Sequence, residues 1–335
     1  MNRVKSLKQK NLEQDTQQQS EYQLYSQLKQ KDWCQSMVFS KGNSILMAQC
    51  KTLIKVLYII KGQLNLIRIL SSHRSFLTTM TILQKYNQLI STSQEGQIHI
   101  WSMIPIAKPI IIKKFDATSS YVGCLIYNES YDLIITGNSN NINFWKNPMR
   151  WSLIQSINEH EGAVWALSIN QNQNKLISCG WDKMILIIGR QEDESWVIIQ
   201  KVIVKFQGYR LCFLDDDYFM YQPRSKSIII LFQIQDNGQH VEKVKEIELI
   251  QRRYQCNAFF PMSFEKQKKI LLNKNGDTII ILKIIGKEEI QIVQFIYFDS
   301  FNIFGKMSDD GLLFATWDES SQKIQIRKLE NHSLQ

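Results

Sequence analysis

The sequence predicts an all-β fold of many short antiparallel strands behind a polar N-terminal tail. Three observations carry that reading. From about residue 31 onward, runs of four to nine residues rich in Ile, Val, Leu, Phe and Tyr alternate with clusters of Asn, Asp, Gly, Ser and Gln. No helical pattern of about 10–15 residues separates these runs, which argues against parallel strand–helix–strand units. A motif also recurs along the chain at offsets of 44 and 43 residues. An all-β chain of this length is either several sandwiches or one radial array.

Composition narrows the class further. Hydrophobic residues make up 44% of the 335 positions and charged residues 21%, ordinary values for a folded chain. Gly (14) and Pro (5) are too scarce for collagen-like or Pro-rich classes. The longest apolar runs, such as 228–232 and 279–282, fall far short of the ~20 residues of a membrane helix. No apolar stretch follows the N-terminal charges, so no secretory signal is expected.

Taken in order, residues 1–30 form the tail. They are rich in Gln and Lys, and they lack Gly and Pro. Arg3, Lys5, Lys8 and Lys10 make their start basic, while Glu13, Asp15 and Glu21 speak against a transit peptide. The tail reads as solvated, partly disordered or loosely helical. Its end, 21–28, alternates well enough to serve as a strand.

Strand runs at 36–40, 44–49 and 54–58 make a first group. Three aligned segments follow. The first has His73, Ser91, Glu95 and Trp101; the second has Asp116, Thr136 and Trp145; the third has His160, Ser178, Asp182 and, at the last place, Ile188. His73 to Trp101 and His160 to Ile188 each span 28 positions. A repeat of about 40–45 residues, with four strands, a His near its start and a Trp near its end, is the WD signature, and here the chain resembles the WD40-repeat β-propeller family.

The resemblance implies a buried hydrogen-bonded set in each blade, joining the opening His, a second-strand Ser or Thr, a turn Asp and a third-strand Trp. Each member satisfies another inside an apolar blade, so the sets are structural. His73, Ser91, Glu95 and Trp101 fill these places in one copy; Asp116, Thr136 and Trp145 in the next; His160, Ser178 and Asp182 in the third.

Beyond residue 200 the motif letters fade but the strand rhythm persists. Runs at 211–214, 218–221 and 228–234 make one group; 257–260, 270–273 and 278–284 another, turning at 275–277; 301–306, 312–316 and 324–328 a third. The total is about seven. The expectation is therefore a single seven-bladed WD40-type propeller over 31–330, with a tail at 1–30 and a short C-terminal tail at 331–335. The end of the N-terminal tail would close the last blade, since an open edge strand invites aggregation.

Signals for chemistry are weak. The nearest two of the six cysteines are 16 residues apart, so no zinc or redox CxxC pair exists. They read as small buried hydrophobes kept reduced. Asp215, Asp216 and Asp217 read as a solvated turn rather than a cation loop. His99 reads as a strand-face residue. No nucleophile, phosphate-loop or metalloprotease motif occurs. The expected reading is a non-enzyme with no catalytic residue, no metal and no cofactor. The formal charge of +9 is dispersed, which favours a solvated surface over a nucleic-acid groove.

Trp165, just after His160, and Trp181, just before Asp182, are the expected partner-binding residues. The resemblance places both at one rim of the channel, where propellers receive other proteins. It implies a cytoplasmic interaction scaffold. Polar linkers ending in Trp151 and Trp196, together with residues 160–167, further resemble the WD-repeat adaptor of cytosolic iron–sulfur assembly, which holds no cluster itself. The alternative is a propeller subunit of another assembly, such as a coat, ciliary, ubiquitin-ligase or signalling complex, and after it an enzyme or a nucleic-acid-binding propeller.

Overall fold

The computed structural model describes residues 20–106, 108–117, 121–147, 151–250 and 256–331. Its strands are gathered in seven antiparallel sheets of four. Blade 7 opens the chain by lending it β1 (Ser20–Lys29). Blade 1 holds β2 (Met37–Phe39), β3 (Ile45–Cys50), β4 (Leu53–Ile60) and β5 (Gln63–Ser71). Blade 2 holds β6 (Leu77–Leu83), β7 (Gln88–Ser93), β8 (Gln97–Ser102) and β9 (Ile110–Asp116). Blade 3 comprises β10 (Cys124–Asn128), β11 (Leu133–Gly137), β12 (Ile142–Lys146) and β13 (Ser152–Ile157). Blade 4 comprises β14 (Val164–Ile169), β15 (Lys175–Gly180), β16 (Met184–Arg190) and β17 (Trp196–Ile203). Blade 5 runs through β18 (Gly208–Phe213), β19 (Tyr218–Pro223), β20 (Ile228–Gln235) and β21 (His240–Glu248). Blade 6 runs through β22 (Ser263–Glu265), β23 (Ile270–Asn275), β24 (Thr278–Ile284) and β25 (Ile290–Tyr297). β26 (Ile303–Met307), β27 (Leu313–Asp318) and β28 (Lys323–Asn331) complete blade 7, with β1 paired outside β28.

The all-β, seven-bladed reading therefore holds. Two short 3-10 turns at 84–86 and 236–238 are the helical residues among those described, and no helix there is long and apolar enough to cross a membrane. Residues 20–29 form the outer strand of blade 7, the place expected for the end of the tail, while the expectation of disorder or helix for 1–19 lies outside the described residues. In blade 6, residues 257–260 are not the first strand; that place falls to the short β22. The cause is Arg210, whose guanidinium takes the carbonyls of Asn257 and Phe260 and so draws that segment out of the ladder.

The chain hides a regularity under its changing letters. In every blade the third and fourth strands slip by one residue, between positions 56/57, 100/101, 144/145, 187/188, 231/232 and 281/282, and opposite Leu24/Ser26 in blade 7. Such a bulge sharpens the local twist. The residue at the slip is Leu57, Trp101, Trp145, Ile188, Phe232, Leu282 and Arg327, so the Trp place of the motif survives as geometry. Seven apolar clusters fill the spaces of the ring. Trp196 is such a filler, fully buried and stacked on Phe144 at 5.4 Å, and Trp151 is buried with the blade 3 core. The first strand of each blade faces a central channel of about 420 Å³.

Candidate binding site at the channel mouth

The polar sets prepare the mouth. In blade 4, His160 shares hydrogen bonds with Ser178 Oγ (2.8 Å) and Asp182 Oδ2 (2.7 Å), and Asp182 also accepts the N–H groups of Glu161 and Met184. Burial opposes ionisation of Asp182, yet His160 and the two backbone donors hold its pKa below the usual carboxylate value. The order Ser178–His160–Asp182 has the connectivity of a proton-relay triad. Ser178 has no exposed surface, however, so no substrate can reach it. The set pins the opening loop of the blade to the β15–β16 turn. A Cβ on Gly180 would run into the Ala163 carbonyl, so only glycine lets that turn close on the loop.

The other copies differ from expectation. Ser91 accepts from Trp101 Nε1 (2.9 Å) and shares a bond with His73 Nε2 (2.7 Å), but Glu95 is exposed and does not join them. His73 Nδ1 has no hydrogen-bond partner among the described residues, and the ring of His99 stacks on His73 at 3.7 Å. Glu95 is excluded because its turn points the longer side chain to solvent. Burial, and then the proximity of His99 and Lys114, depress His73 to about 3; burial and Lys114 depress His99 to about 4. In blade 3, Trp145 Nε1 donates to Thr136 (3.2 Å). Asp116 is not the head of that blade. It is the last residue of β9, exposed and accepting from Gln97 across the β8–β9 pair.

Three further members of the pattern carried no recognisable letter. Arg327 stands at the Trp place of blade 7 and donates to Thr316 Oγ1 (3.2 Å) as the tryptophans do to Ser91 and Thr136. Tyr221 takes the Ser place of blade 5 and reaches the opening loop directly, at the Phe206 carbonyl (2.6 Å). Asn273 takes it in blade 6, where Leu282 offers no donor, and its amide atoms are buried without partners among the described residues.

Above these sets the two expected binding residues lie on one mouth of the channel. Trp165 is the extra residue of a bulge between Val164 and Ala166, and Tyr209 is the extra residue of another between Gly208 and Arg210. A bulge re-aims its side chain, here into the channel. Trp165 is half-buried, packed edge-on against Tyr121 (5.8 Å), Tyr209 (6.2 Å) and Phe259 (5.9 Å). Among the described residues, neither Trp165 Nε1 nor Tyr121 Oη has a hydrogen-bond partner. Trp181 is 45% exposed. The guanidinium of Arg224 covers its ring at 4.5 Å and that of Tyr209 at 5.5 Å, so Trp181 and Trp165 belong to one chain of aromatic contacts.

The sequence reading missed Arg224, Tyr209, Phe259 and the half-exposed Trp33, which packs on Phe304 and Trp317 at the far side of the mouth. The available signal was an aromatic at or beside the start of successive blades. Lys205 and Lys226 flank Phe206 beside Arg224, and none of these three cations is in an ion pair among the described residues. The mouth near blade 5 is thus both aromatic and basic.

Other clusters lie elsewhere. Asp216 accepts from Asn170 and Asn172, fastening the lower turns of blades 4 and 5, while Asp215 caps its own turn. Deep beneath the mouth, burial lowers Lys274 to about 7. At Cys256 the charges of Arg210 and Lys274 outweigh burial and bring the thiol down to about 7. Among the described residues, no three His, Cys, Asp or Glu side chains gather as a metal set.

In comparisons with known proteins, the family described as WD domain, G-beta repeat matches residues 151–188, the end of blade 3 and most of blade 4. No curated protein matches the chain.

Proposed function

Because this chain belongs to the WD40-repeat β-propeller family, we propose that it is a non-catalytic protein-interaction scaffold whose partner docks at the mouth carrying Trp165 and Trp181. The observation that carries this reading is the exposed Trp181, held in place by Arg224 beside rings whose donors have no partner among the described residues. Exposed Trp and Arg are enriched among binding hot spots. Lys205, Arg224 and Lys226, which are in no ion pair among the described residues, favour a partner segment that sets an acidic side chain beside an apolar one. A carbonyl from that segment would satisfy Trp165 Nε1.

The test is capture of partners from lysate by wild type and by Trp181→Ala. The variant should keep its melting temperature and lose about tenfold or more in capture, about 1.4 kcal/mol. A folded variant with unchanged capture removes Trp181 from the site. Arg224→Ala should act in the same direction.

A finer reading, adaptor in cytosolic iron–sulfur protein assembly, rests on the likeness of residues 147–151, 160–167 and 191–196. The captured set decides it by mass spectrometry. Enrichment of iron–sulfur apoproteins supports it, whereas a coat, ciliary, ubiquitin-ligase or signalling complex replaces it. Both readings place the protein in the cytoplasm, which fractionation of cells would check.

A further inference from the structure

We propose that Cys34 and Cys50 are a redox pair that closes to an intramolecular disulfide and so locks the seam of the ring. Cys34 lies in the connection between β1 and β2, and Cys50 is the last residue of β3. The Lys51 N–H donates to the Trp33 carbonyl (3.2 Å) and the Gln49 N–H to the Ser36 carbonyl (2.9 Å). Residues 33–36 therefore run antiparallel beside the end of β3, with 34 and 35 together opposite 50. Cross-strand neighbours hold their Cα atoms about 4.5–5.5 Å apart. A disulfide spans about 4.4–6.8 Å between Cα atoms, a range that neighbouring antiparallel segments fall within. The two sulfurs are already 2.8 Å apart.

Their position gives the bond a consequence. Both cysteines sit in the apolar cluster that joins blade 1 to blade 7, with Met37, Phe304 and Trp317. The same connection carries other seam contacts. Trp317 Nε1 donates to the Gln30 carbonyl (2.8 Å), and Lys51 pairs with Asp32 (2.7 Å). Immediately upstream is β1, the strand that completes blade 7. A bond from 34 to 50 ties this connection to blade 1 and opposes release of β1.

The oxidant is a low-molecular-weight disulfide, such as oxidised glutathione. One cysteine thiolate attacks a glutathione sulfur, forms a mixed disulfide and releases one glutathione thiolate. The second cysteine thiolate displaces the other glutathione as the 34–50 bond forms. Two electrons and two protons pass from the protein thiols to two glutathione molecules. Burial pushes the Cys34 thiol up, which keeps it protonated while the connection is closed. Exchange therefore proceeds through opening of residues 30–36 or during folding.

The full-length chain is incubated natively, and in parallel refolded from denaturant, in oxidised glutathione or in dithiothreitol. Free thiols are then alkylated, peptides mapped without reduction, and melting temperatures measured. The expected result is a peptide linking Cys34 to Cys50, with the other four cysteines alkylated and melting several degrees above the reduced chain. Cys34→Ser and Cys50→Ser each abolish the response, while Cys212→Ser keeps it. Alkylation of both Cys34 and Cys50 after oxidation in both protocols overturns the pair, as does glutathione retained on Cys34 alone. A linked peptide with no rise in melting temperature overturns the lock.

Discussion

Asp182 accepts from His160 and from two backbone donors at the mouth of blade 4, so its removal leaves the buried His160 and the part-buried Met184 N–H unpaired. Asp182→Ala should cost about 1–3 kcal/mol of stability, read as a lower melting temperature. His73 and His99 make a second residue-scale prediction. Both are held neutral in the fold, near 3 and 4, against an unfolded value of 6.5. Between those limits the unfolded chain binds more protons than the folded one, so stability rises with pH. Their contribution is complete above pH 6.5 and is lost as pH falls towards 4 and 3. Melts from pH 7 to 4 should show this loss, and His99→Gln should flatten the slope over that window.

At the scale of elements, β1 illustrates how a strand far away in sequence is captured. Tyr22 is buried between blades 6 and 7, its ring edge-on to Phe314 and its hydroxyl donating to the Gly311 carbonyl at 2.5 Å. The Gln294 amide meets both the N–H and the carbonyl of Tyr22. Tyr22→Phe keeps the ring and leaves the Gly311 carbonyl without that donor. It should cost about 1 kcal/mol, measurable by chemical denaturation. The bulges act at the same scale. One per outer strand pair repeats the twist that every blade needs, while those at Trp165 and Tyr209 turn side chains inward.

For the whole molecule, closure is the central constraint. Blade 7 takes three strands from one end of the chain and its outer strand from the other, so neither end can leave without opening a sheet. A chain beginning at Gln30 would present β28 as an unpaired edge. It should self-associate in light scattering and melt below the full chain. The same closure sets a common mouth, because every blade delivers the start of its first strand there. Binding residues from blades 4 and 5 thus meet although 43 residues of chain separate Trp181 from Arg224.

Strand rhythm, repeat length and the His160–Ser178–Asp182 set were legible in the sequence, because alternation and motif spacing are local properties of the chain. The blade count followed from them. The partnership of β1 with β28 was legible only as a strand of suitable pattern. Where letters changed, local reading misplaced residues: Asp116 lies one position farther from its Trp than the opening His does in the other copies and belongs to the preceding outer strand, and Glu95 is one methylene longer than the Asp it stands for. Arg327 and Tyr221 do the work of the motif through other chemistry, which no spacing rule announces. Tertiary structure alone decided the aromatic mouth and the contact of Cys34 with Cys50. The rings of the mouth come from different blades, and only closure of the ring sets the distances between them, whereas the two sulfurs meet because the segment before β2 folds back beside the end of β3.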